Sequence, residues 1–165
     1  MPDTFALIPF AGLLLVAAIS DVATMKIPNW VSIALAASYP VVALITGQPL
    51  TEIGINLAFG FGVLVLCFGL FQFGIMGGGD AKLIAAAAVW TGLNAFLFFA
   101  GWMALAGGLI ALVLLFVRRA VKPSEERPAF LNRLLKPHGG VPYGVAIAFG
   151  GLMALDIART ALTLP

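Results

Sequence analysis

Long apolar runs divided by short polar or glycine- and proline-rich turns constrain this chain more than any other feature: 5–19, 29–46, 53–73, 81–90, 95–117 and 141–158. About 20 consecutive apolar residues cross a bilayer as a helix, because lipid offers backbone N–H and C=O groups no partner and a helix satisfies them internally. Hydrophobic residues make up 62% of the chain and charged residues 10%, shares far from those of a soluble domain. The expectation is an all-α, polytopic membrane protein forming one domain over residues 1–165, with the lipid bilayer as its surroundings. A formal charge of +2 gives no clustered basic face for nucleic acid. Cys67, the single cysteine, lies inside an apolar run, which excludes a disulfide framework and a cysteine-rich zinc site. His138 has no acidic or cysteine partner at ligand spacing, so no metal or cofactor is expected.

The turns organise these runs. Met1-Pro2-Asp3-Thr4 is acidic where a secretory signal is basic, so the first run is expected to stay as helix one rather than be cleaved. Pro28 suits the start of helix two, and 47–52 is a Gly/Pro turn before helix three. The density of glycine in 74–80 predicts a break, since each glycine disfavours helix by about 1 kcal/mol relative to alanine. A weak turn at 91–94 leaves five or six spans open. Within the polar loop at about 118–140, Phe130, Leu131, Leu134 and Leu135 recur at helical spacing opposite Arg133 and Lys136, consistent with a surface helix or a solvated loop. Charge decides the count: six spans put Lys26, Lys82 and the basic loop on one face and leave Arg159 on the other. The positive-inside rule makes the basic face cytoplasmic. The expected fold is a six-transmembrane-helix bundle with both termini on the non-cytoplasmic side.

Asp21 and Asp80 then fall at the cytoplasmic ends of helices one and four. Carboxylates at membrane depth are costly and point to function. Two of them facing one cavity share a proton and activate a water, one as base and the other as acid. The structural alternatives are an ordinary N-cap for Asp80 and a simple helix end for Asp21. Gly77, Gly78 and Gly79 weigh against these, because they strip side chains from beside Asp80 and let a substrate backbone approach.

Gly77-Gly78-Gly79-Asp80 fits a G-x-G-D motif continued by Ala81-Lys82-Leu83. Asp21 is followed by Ile27-Pro28-Asn29, and Pro142-Tyr143-Gly144 precedes the last run. Together these resemble the type IV prepilin peptidase family over essentially the whole chain, and by length the short members of the tight-adherence (Flp) pilus type, TadV or CpaA. The resemblance implies an aspartyl endopeptidase of the bacterial inner membrane that removes the short charged leader of a prepilin at the cytoplasmic edge of its hydrophobic helix. Asp21 and Asp80 match the catalytic aspartates, and pilus assembly machinery is an implied partner. The amino-terminal region with paired zinc-binding cysteines of long, methylating members has no counterpart, so the resemblance implies peptidase activity without methyl transfer. Asn29, Pro142 and Tyr143 are candidates for the rim of the site. Lys26 and Lys82 read first as snorkelling anchors and second as substrate contacts. Two other classes fit the same residues: a small transporter or channel component whose aspartates bind protons or a cation, and a non-catalytic assembly subunit.

Overall fold

A computed structural model describes residues 6–121, 128–136 and 139–154. Met1–Phe5, the acids Glu125 and Glu126, His138, Asp156 and Arg159 lie outside the described residues, and with them the expected location of both termini. Among the described residues the chain is all helix: α1 Ile8–Thr24, α2 Asn29–Ile45, α3 Leu50–Gln72, α4 Gly78–Ala120, α5 Ala129–Leu135 and α6 Tyr143–Met153.

The 43 residues of α4 would reach about 64 Å if straight, twice the thickness of a bilayer core. They do not run straight. Gly92 adopts φ 56 and ψ −174, backbone essentially confined to glycine, and the chain turns back on itself there. Contacts to other elements show the reversal. Gly79 lies against Ile27 at the start of the first arm, while on the second arm Phe99 and Met103 meet Gly150, and Gly107 meets Tyr143. The second arm therefore runs antiparallel to α6 and returns to the end from which the first arm left. Trp90 locks the reversal in place: its indole N–H donates to the Leu35 carbonyl at 2.7 Å, and its ring stacks obliquely on Phe10 and edge-on to Tyr39.

The core includes a seam of small buried residues in the first arm, Ala85 to Ala88, with α2 and α3 packed on α4. Small side chains let the helices approach closely: a Cβ on Gly60 would meet the Val89 side chain, and one on Gly150 would lie 2.7 Å from the Phe99 carbonyl oxygen. Large apolar side chains point outward instead, with Phe73 82%, Leu97 80% and Ile45 79% exposed. Both helices long and apolar enough to span a membrane, α3 and α4, present these outward faces, with only 22% and 6% of their apolar windows buried. A soluble core helix would be buried; these two are exposed along apolar faces long enough to cross a bilayer.

Three element boundaries depart from the sequence expectation. Helix one does not stop at residue 19. Its last turn is completed by Thr24 Oγ1, which donates to the Ser20 carbonyl at 2.8 Å, and by the Met25 N–H, which donates to the Asp21 carbonyl at 2.7 Å with Met25 left-handed. Asp21 thus lies within the helix. The glycine break is confined to 73–77, where Gly74 has φ 70; Gly78 and Gly79 are the first two helical residues of α4. Their low propensity is offset because their faces pack on Phe71 and Ile27. Finally, α6 begins at Tyr143, two residues after the expected start. Residues 129–135 do form a short helix, which buries Leu135 and leaves Arg133 outward.

Candidate active site

Asp21 stands in the last turn of α1 and is 5% exposed. A carboxylate so buried needs partners, and one is the backbone N–H of Gly144, which donates to its Oδ2 at 2.7 Å from the first turn of α6. A helix N-terminus carries unpaired N–H groups and a positive dipole end, so α6 holds this carboxylate in one place. Gly144 must be glycine for the approach, since a Cβ there would sit 2.9 Å from both Cβ and Oδ2 of Asp21.

Asp80 is held by the same physics on its own helix. Gly77 is the extended N-cap of α4 and Asp80 is the third helical residue. From there the carboxylate reaches back to accept the Gly77 N–H. Asp80 is therefore not the N-cap but the residue that caps the N-cap. The three glycines are also closely packed: a Cβ on Gly77 would lie 2.8 Å from Asp80 Oδ2, one on Gly78 would lie 3.3 Å from Phe71, and one on Gly79 would lie 3.3 Å from Ile27.

The two carboxylates share one site: both line a single open cavity of about 1130 Å³. Of the residues singled out from the sequence, Gly77, Gly78, Gly79, Lys26 and Tyr143 share its walls with them. Asn29 and Lys82 do not. Lys82 Nζ donates to Asn29 Oδ1 at 2.9 Å, and the pair heads a separate apolar groove of about 540 Å³ between α2 and α3. The helical wheel carried that signal, because residues i and i+2 point to different sides and Lys82 follows Asp80 by two. Pro142 is the N-cap of α6 and does not join the wall.

Reasoning from sequence missed much of the wall. Met25, Met76 and Met103 supply apolar surface, and Arg133 and Lys136 add cations beside Lys26. Gly144, quoted within a motif, had no role assigned; a glycine one residue into a helix start after Pro-Tyr was the available sign of a close approach. Among the described residues no three of His, Cys, Asp and Glu converge as metal ligands.

Fold and cavity define a helical membrane protein with a cleft, lined by two aspartates, at the end where α1, α4 and α6 meet. The sequence gives its relatives: a model of the type IV leader peptidase family matches residues 8–116, and the chain belongs to that family. The matched stretch contains both Asp21 and Asp80 and stops short of α5. Membership makes the chain a peptidase of the leader-removing kind and implies prepilin-type substrates. No curated protein and no solved structure matches it.

Proposed function

We propose that the chain is an aspartyl endopeptidase that removes the leader of type IV or Flp-like prepilins, with Asp21 and Asp80 activating water between them. The observation that carries this reading is the opening of two carboxylates, 59 positions apart in sequence, into one cleft. One carboxylate takes a proton from water as its oxygen attacks the scissile carbonyl carbon. The partner, protonated, hydrogen-bonds to the developing oxyanion and then delivers its proton to the leaving nitrogen as the C–N bond breaks. The products are a leader ending in a carboxylic acid and a mature chain with a free amine; the two aspartates have exchanged protonation, which solvent resets.

The cleft suits a bond at the edge of a hydrophobic helix. Ile75, Met76, Ile84 and Met103 offer an apolar wall for the first turns of that helix, while the open end is polar. Lys26, Arg133 and Lys136 gather at this end and Glu52 begins α3 at the other, which orients the cleft toward the cytoplasm by the positive-inside rule. The reversal at Gly92 supports reading the chain as six spans, in the bacterial inner membrane. Prepilins of the tight-adherence type are the substrates this reading favours, with the pilus assembly machinery as the downstream partner.

Co-expression with pilin precursors encoded in the same genome, scored by mass spectrometry, tests the proposal. Leader loss is expected with the native chain and not with Asp21→Asn or Asp80→Asn, both still inserted in the membrane. Leader loss in either variant refutes it.

A further inference from the structure

Arg118 lies in the last turn of α4, far along the chain from either aspartate, yet its guanidinium faces the segment that closes the cleft. Nε donates to the Leu134 carbonyl at 2.7 Å, Nη1 to the Gly139 carbonyl at 2.8 Å and Nη2 to the Gly140 carbonyl at 2.7 Å. Three carbonyls on both sides of one bend are thus gathered by one planar fork, a geometry that a guanidinium supplies and an ammonium cannot. The bend is packed as tightly as it is bonded: a Cβ on Gly139 would lie 3.0 Å from the Lys136 carbonyl oxygen and 3.2 Å from Arg118 Nη2, and one on Gly140 would lie 3.3 Å from Met25 Cε. Arg133 adds a tie to α1, donating from Nη1 to the Ala23 carbonyl at 3.1 Å. Arg133, Lys136, Gly139 and Gly140 are all cleft wall.

We infer that Arg118 is a positioning residue for substrate binding: it clamps the α5 segment into a fixed part of the cleft wall, without touching the reacting atoms. The inference rests on the aspartyl peptidase reading for its kinetic consequence but not for its structural one. Asp21 takes its support from Gly144 on α6, and Asp80 from Gly77 on its own helix. Loss of the clamp therefore releases wall and leaves the carboxylates in place. Substrate binding weakens while turnover of bound substrate persists.

Trypsin separates the two layers. Lys122, Arg127 and Lys136 each precede proline and resist the protease, which leaves Arg133–Leu134 as the cleavable bond between residues 120 and 140. In the full chain in detergent, this bond is expected to be cut about tenfold faster in Arg118→Ala and in Arg118→Lys than in the native protein. Thermal unfolding of Arg118→Lys should stay near native, since its charge and helical position are kept. With a pilin precursor that the native chain cleaves, both variants should raise KM about tenfold and hold kcat within about twofold. Unchanged trypsin cutting in both variants, native trypsin cutting and native KM in Arg118→Lys, or a fall in kcat at constant KM overturns the inference. Absence of cleavage by the native chain refutes the peptidase reading alone and leaves the trypsin result to decide the clamp.

Discussion

At the scale of single residues, the site depends on where side chains are missing. Gly144 lets a backbone N–H reach within 2.7 Å of Asp21 Oδ2, and a methyl group at that position would fall 2.9 Å from the same oxygen. Asp21 is buried and its Cβ as well as Oδ2 would lie 2.9 Å from the added methyl, so Gly144→Ala is expected to displace the whole Asp21 side chain away from α6 rather than unfold the chain. A displacement of about 1 Å in a catalytic group costs up to about 100-fold in rate. Precursor cleavage by Gly144→Ala should therefore fall about 10- to 100-fold, with the melting temperature little changed. Native rates, measured on purified protein, would remove Gly144 from the site. The aspartates were legible in the sequence because a carboxylate beside an apolar run stands out against its surroundings. Gly144 and Arg118 were not, since each acts through backbone atoms brought in from more than 15 positions away, and no local pattern records such an encounter.

At the scale of elements, the reversal at Gly92 matters most. The sequence marked 91–94 only as a weak turn, and it took the distribution of charge to argue that the chain returns. The physical reason for the weak signal is that one residue makes the bend: helical residues flank Gly92 directly, with no polar loop to betray it. Its dihedrals lie where a side chain costs about 1–3 kcal/mol. A Cβ would also lie 2.7 Å from Asn56 Oδ1, an amide already fixed by its 2.6 Å hydrogen bond to the Tyr39 hydroxyl. Gly92→Ala is thus expected to lower stability by about 3 kcal/mol in a denaturant titration. Adding Asn56→Ala should recover the overlap but not the dihedral cost. The helix starting at Gly78 teaches the converse lesson: propensity argued for a break through Gly79, and packing on Phe71 and Ile27 overrode it.

At the scale of the whole molecule, three helices from distant parts of the chain converge to make one cleft. α1 carries Asp21, the first arm of α4 carries Asp80, and α6 donates the N–H that holds the first of them. The apolar exterior and the basic end of the bundle were readable from composition and charge; the cleft itself was not, because part of its wall comes from the α5 segment, which the Arg118 hydrogen bonds tie down. The central claim is that the two carboxylates act as one unit on one water. Groups that act as a unit give strongly non-additive losses. The direct measurement is the rate of precursor cleavage by purified Asp21→Asn, Asp80→Asn and the double variant under identical conditions. The account predicts that each single change costs about 1000-fold or more and that the double variant is no slower than the worse single one; a single variant that keeps near-native activity, or losses that multiply in the double, would contradict it.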